Sequence, residues 1–319
     1  MRVIAIEEHF MTPDGFAITE WNGKGGKPIS VKASQLGDIG TGRIAAMDAA
    51  GIDVQVLSTP AIGMEELAPA EAIAMTRATN DALAEAIAEH PDRFAGFAVL
   101  PAIDPAAAAA ELERAVTGLG FKGALMNGHV RGRFLDEQAF WPIFECAQAL
   151  DVPIYLHPTP PPEAVKEAYY SGLPGTCGAS LSQAAWGWHC ETGLHALRLV
   201  AGGVFDRFQR LQVILGHMGE NIPFSLARAD RFLTPHATHL QRRVADYFHD
   251  NFSITISGYY TAGPLLCAVM VLGADRIMFA TDYPFGDAAE GREFLDTAPI
   301  SPGDRAKIAH GNAERLLRL

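Results

Sequence analysis

Cysteine is scarce in this chain. Its four copies, Cys146, Cys177, Cys190 and Cys267, stand alone without CxxC spacing, a pattern that predicts reduced thiols and a cytoplasmic location. Positive charge is also short: 25 Lys and Arg stand against 37 Asp and Glu, for a formal net charge of -12. Nucleic-acid binding needs a concentrated basic footprint, so that class of partner is excluded, and an acidic ligand would need a local positive centre. No apolar run reaches the roughly 20 residues that span a bilayer. Met1 leads straight into a strand pattern rather than a charged and apolar signal segment. Apart from the alanine run at 106–110 there is no low-complexity segment, and nothing in the composition suggests disorder.

What the chain does have is apolar material, 49% of its 319 residues, enough for a large core and for either two average domains or one large barrel. Apolar and amphipathic runs alternate from end to end. Strands are predicted at VIAIE and then at 53–59, 94–101, 121–128, 152–158, 211–219, 251–258 and 275–284. Helical patterns lie between them, such as RIAAMDAAG and DPAAAAAELERAVTGLG, where Asp104 can cap and Pro105 can occupy the first turn. No strand reads as antiparallel and no linker divides the chain. The prediction is an α/β fold with residues 1–319 forming a single (β/α)8 TIM barrel, one catalytic domain.

Active sites of such barrels lie at the carboxyl ends of the strands. Here the first strand ends Glu7-Glu8-His9, the fifth ends Tyr155-Leu156-His157, the sixth runs into Gly216-His217-Met218-Gly219-Glu220, and the eighth ends Thr281-Asp282-Tyr283-Pro284. A buried strand desolvates two adjacent carboxylates only at high cost, so Glu7 and Glu8 are expected either to reach water or to hold a cation. Alternation puts Glu7 and His9 on one face and Glu8 on the other. With His157 and Asp282, Glu7 and His9 would supply two carboxylate oxygens and two imidazole nitrogens, a set for Zn²⁺, Mn²⁺ or a similar ion with room left for water or substrate. His217 and Glu220, three apart across a turn, could form a pair in which the carboxylate orients an acid–base imidazole. The alternative is a capping pair, with Glu220 near a helix N-terminus. His195 reads as a packed helix residue, while His129 and His189 could reach the mouth from loops.

In order along the chain, IEEHF, the LHP strand end, ETGLHALRL, VILGHMGENIPF and DRIMFATDYPF resemble the amidohydrolase-related aromatic decarboxylases, the γ-resorcylate and 2,3-dihydroxybenzoate branch. The helix RIAAMDAAGI and the segment TNDALAEAIAEHPDRF extend the resemblance. It implies an amidohydrolase-type barrel that carries out nonoxidative decarboxylation of an ortho-hydroxybenzoate, a small aromatic carboxylate, as a homo-dimer or homo-tetramer. It also implies Glu7, His9, His157 and Asp282 as ligands of one divalent ion (Mn²⁺, Zn²⁺ or Mg²⁺) with no organic cofactor. Asp282, His217 and Glu220 would be catalytic, and Arg228 would bind substrate and supply the missing positive centre. The Glu-x-His start, in place of His-x-His, points to the decarboxylase branch. One ion is implied because the fourth strand ends Met126-Asn127-Gly128, whereas Lys122 sits at its other end. The same ligands could instead activate water to attack an amide, a lactone or an activated alkene. Tyr283, where relatives tend to have Trp, and the stretches 12–35, 60–66 and 159–185 depart from the family pattern. Such loops set the substrate.

Overall fold

The computed structural model describes residues 1–21, 32–60 and 64–319. Parts of the divergent stretches 12–35 and 60–66 thus lie outside the described residues. Nine short strands run in chain order: β1 (Ile4–His9), β2 (Val54–Ser58), β3 (Phe94–Gly96), β4 (Ala98–Val99), β5 (Ala124–Asn127), β6 (Ile154–His157), β7 (Val213–Leu215), β8 (Phe252–Thr255) and β9 (Ile277–Met278). Every strand pairing is parallel and joins neighbours in the sequence.

β3 and β4 are two halves of the run expected at 94–101. The Phe97 N–H donates to the Leu57 carbonyl on one side, and the next residue, Ala98, donates to the Gly123 carbonyl on the other. The last strand meets the first through Ile6 N–H to the Phe279 carbonyl at 3.2 Å and His9 N–H to the Tyr283 carbonyl at 2.6 Å. With β3 and β4 taken as one, the strands make the expected (β/α)8 barrel.

The near-continuous apolar runs follow from burial on both strand faces. One cluster fills the barrel: Ile4, Ile6, Val56, Phe97, Leu125, Tyr155, Ile214 and Met278, with Ala313 and Leu317 of the last helix (Asn312–Leu317) packed against them. A larger one, including Ala5, Leu57, Phe144, Leu215 and Phe252, lies between the strands and the surrounding helices. Local signals place those helices. In the helix Pro105–Leu119, the Asp104 carboxylate accepts from Ala107 N–H at 3.1 Å with Pro105 in the first turn, a cap worth about 1 kcal/mol. Among the described residues, no helix is long and apolar enough to cross a membrane.

The pairing of β1 with β2 is irregular at one point. Ala5 pairs with Gln55 but Glu8 pairs with Leu57, so three steps along β1 match two along β2. This β-bulge turns both Ile6 and Glu7 toward the barrel interior and leaves Glu8 facing the helices.

Candidate metal centre

Glu7 and His9 from β1, His157 from the end of β6, and Asp282 beyond β9 each place a ligand atom within 4.8 Å of the others. Second partners fix how these groups point. His157 Nδ1 faces two acceptors, Asn127 Oδ1 at 3.1 Å and the Pro158 carbonyl at 3.0 Å. That nitrogen therefore carries the proton and Nε2 offers a lone pair. Ser58 Oγ lies 3.3 Å from His9 Nδ1 and can accept from it in the same manner. Glu7 Oε2 accepts from Thr255 Oγ1 at 3.1 Å and from the Ser257 hydroxyl. A Cβ on Gly216 would come within 2.8 Å of Glu7 Oε1, so only glycine at the end of β7 lets the carboxylate lie there.

Two buried atoms of the cluster, Glu7 Oε1 and His9 Nε2, have no hydrogen-bond partner among the described residues. His9 Nε2 does lie 3.1 Å from Asp282 Oδ1, but without the alignment of a hydrogen bond. Unsatisfied buried groups cost about 1–3 kcal/mol each, and one cation between them would satisfy both. The residues present therefore fit a divalent ion held by two carboxylate oxygens and two neutral imidazoles. Burial, reinforced by His9 and His217, holds His157 well below its usual pKa, which suits a neutral ligand. Burial pushes the Glu7 carboxyl up, with the His217 charge opposing. Asp282 is shifted down: burial alone would raise it, but its contacts with His217 and His9 prevail. Its side chain is 19% exposed against 0% for Glu7 and 1% for His9, which leaves it the best placed of the three to meet a substrate.

Above the ligands, the chain leaves β7 through five consecutive residues in the left-handed region, His217 to Asn221, with φ of 46, 58, 77, 54 and 66°. Such positions cost a non-glycine residue of order 1–3 kcal/mol each, and the turn brings His217 to the mouth. His217 Nδ1 lies 2.9 Å from Glu220 Oε1, and its Nε2 lies 3.7 Å from Asp282 Oδ2. Burial would lower the His217 pKa, but Glu7 and Glu220 hold it well above the usual range. The helix Ile222–Leu233 that comes next has Asn221 as its N-cap residue, while a Glu220 oxygen meets His217, the geometry of an orienting partner.

The other oxygen of Glu220 finds a residue that spacing did not single out. His189 Nδ1 is 2.6 Å from Glu220 Oε2, and His189 Nε2 is 3.0 Å from the Ala184 carbonyl. His189 sits in the helix Gly187–Ala201, not in a loop as expected. One signal pointed there: Gly193 within that helix, since a helix-interior glycine costs about 1 kcal/mol and marks a close approach. A Cβ on Gly193 would meet the Glu220 carbonyl at 2.6 Å.

Other expectations fare differently. Glu8 neither reaches water nor joins the ligand cluster. It is fully buried, accepts from Thr281 N–H at 2.8 Å, Thr281 Oγ1 at 2.7 Å and Gln55 Nε2 at 3.2 Å, and its pKa is raised to about 8 by burial, with Thr281 and Arg43 opposing. Arg43, also buried, donates to the His9 carbonyl and lies 4.9 Å over the Tyr283 ring. His195 is the packed residue expected, accepting from Leu135 N–H at 2.9 Å. His129 ties its own loop to Pro160 and Gly132. Arg228 is exposed and lies 4.5 Å over the Phe232 ring; no contact among the described residues joins it to the ligand cluster of its own chain.

The model of the amidohydrolase family, Amidohydro_2, matches residues 28–319. The chain belongs to the amidohydrolase family. Among its family relatives, γ-resorcylate decarboxylase from Polaromonas sp. (strain JS666 / ATCC BAA-500) is 40% identical over 331 residues, covering 99% of this chain and 98% of that one. The structure of 2,6-dihydroxybenzoate decarboxylase complexed with 2,6-dihydroxybenzoate matches with a TM-score of 0.91 at 38% identity, covering 100% of each chain. Dihydroxybenzoic acid decarboxylase from Polaromonas sp. JS666, with bound manganese and the inhibitor 2-nitroresorcinol, has a TM-score of 0.91 at 39% identity, covering 100% of this chain and 97% of that one.

Proposed function

We infer that this amidohydrolase is a metal-dependent, nonoxidative carboxy-lyase that releases CO₂ and a phenol from an ortho-hydroxybenzoate. The observation that carries the reading is the Glu7–His9–His157–Asp282 cluster with two orphaned ligand atoms, in a chain 40% identical over nearly its whole length to a γ-resorcylate decarboxylase. Glu7, His9, His157 and Asp282 would hold one divalent ion, manganese in the first instance, which would neutralise the substrate's carboxylate and ortho-hydroxyl oxygens and fix the ring.

We assign proton delivery to Asp282. Its carboxyl, ionised at rest, first takes the proton of the charged His217 and then gives it to the ring carbon bearing the carboxylate, which breaks aromaticity at that carbon. The C–C bond then cleaves, its electron pair returns to the ring, and CO₂ leaves. His217, 3.7 Å from Asp282 and held in its charged form by Glu7 and Glu220, is then reprotonated from solvent. One proton is consumed per CO₂ released.

Residues 1–319 are read as one catalytic domain. The four cysteines are free, which supports the cytoplasmic assignment. Homo-oligomer formation is supported by exposed apolar side chains on the helices Ile222–Leu233 and Ala262–Leu272: Phe224 and Met270 are 89% and 86% exposed. Arg228 stands on the first of these helices, so we assign its contact with substrate to the site of an adjoining copy.

The test is a single panel on enzyme of known metal content, measuring CO₂ release and products over hydroxybenzoates beside simple lactones and amides. CO₂ with the matching phenol, lost on chelation, is expected. Hydrolysis without CO₂ would overturn the reading in favour of water activation by the same ligands.

A further inference from the structure

The end of the barrel remote from the metal centre holds a polar cavity of about 170 Å³, room for several waters. Its walls come from the amino ends of strands: Pro153 just before β6, Gln212 before β7, and Arg276 before β9. Four arginines line it, Arg210, Arg276, Arg315 and Arg318, against one acid, Asp151. Asp151 is taken by Arg318.

The other three arginines make no ion pair among the described residues. Arg276 Nη1 donates to Gln212 Oε1 at 3.2 Å, Arg315 Nη2 to the Asp275 carbonyl at 2.7 Å, and Arg210 Nη2 to the Gln148 carbonyl at 3.5 Å. The neighbouring carboxylates of Asp250 and Asp275 are engaged by Arg242 and Lys307. Burial first, and then the Arg315 charge, work against the Arg276 cation, with Asp250 and Asp275 opposing. Three guanidiniums without an ion pair among the described residues, offset only in part by Asp250 and Asp275, thus make a positive pole on a chain of net charge -12. Asn312 also lines the cavity and is 2% exposed. Its amide N–H groups are spent on the Ala274 and Ile277 carbonyls at 2.8 and 2.7 Å, which ties the last helix to the segment that carries Arg276.

We propose that this cavity binds a phosphate group, with Arg210, Arg276 and Arg315 holding its charged oxygens. Guanidinium forks match phosphate oxygens in geometry and charge. Phosphate oxygens are more basic acceptors than those of sulfate, so the guanidiniums favour phosphate. The group is either free phosphate or the head of a phosphate monoester.

The test tracks the melting temperature of the metal-loaded enzyme during titration with inorganic phosphate, glycerol 3-phosphate or sulfate at constant ionic strength, for wild type, R276Q and R315Q. Expected are a saturable rise with phosphate or its ester, a weaker response to sulfate, and at least a tenfold loss of apparent affinity in each variant with decarboxylation unchanged. Tighter binding of the ester or of the free ion names the source. A response shared equally by sulfate, no saturable response, or one that survives in both variants overturns the proposal, the last by placing phosphate at the metal centre.

Discussion

Asp282→Asn keeps the size of the side chain and one oxygen for a metal while removing the acid. Its kcat should fall by at least about 10²-fold, the usual scale for a positioned acid or base, while metal analysis of desalted protein still finds an ion. Turnover within a few-fold of wild type would instead remove Asp282 as the proton donor. His189 makes a finer test. Both of its nitrogens face acceptors, Glu220 Oε2 and the Ala184 carbonyl, so the ring ties the carboxylate that meets His217 to the segment before its own helix. His189→Ala leaves Glu220 free to turn away from His217, and kcat should drop about tenfold with its pH profile displaced, on the general scale of lost orienting partners. His189→Gln, which keeps one donor, should recover part of the loss. An unchanged profile in the Ala variant would reduce His189 to a packing residue.

At the scale of elements, β1 and the segment after β9 are clamped by Glu8, whose carboxylate takes both the N–H and the hydroxyl of Thr281, the residue before Asp282. Glu8→Gln replaces one acceptor oxygen by a donor in a buried site. It should cost about 1–3 kcal/mol in urea unfolding and weaken manganese binding measured by titration; a normal metal affinity would confine Glu8 to stability. The strand ends that carry the ligands were legible because charged residues closing apolar runs are rare and this fold puts chemistry there. Legible also was the Asp104 cap, a local signal read within one turn. The β1 bulge was not: IEEHF alternates acceptably with or without it, and simple alternation reached the right pairing of Glu7 with His9 while placing Ile6 on the other face. FAGFAVLP is continuously apolar, so nothing in it announced that hydrogen bonding would change sides at Phe97. His189 escaped because its partner is 31 residues away, and Arg228 entered on resemblance alone, which does not say which copy's site a side chain faces.

For the molecule as a whole, an ion at the cluster binds the folded chain and not the unfolded one. At 100 times its dissociation constant it adds about 2.7 kcal/mol, on the order of 5 °C in melting temperature for a chain of this size. Melting before and after EDTA should show that loss, and equal curves would separate the fold from the metal. Assembly is read by light scattering: Phe224→Glu, on the exposed apolar face, should convert an oligomer to monomers and lower activity if Arg228 serves an adjoining copy. A monomeric wild type would cancel both expectations. The ligands come from β1, from β6 and from beyond β9, nearly the full span of the chain. During synthesis, then, a chain emerging from the ribosome has its first two ligands from the outset, but the fourth arrives only when Asp282 does, so capture of the ion through all four must come after almost the whole of translation. Until then the chain offers at most three of the four donors, so the full affinity for the ion, and the stability that it adds, belong only to the finished chain.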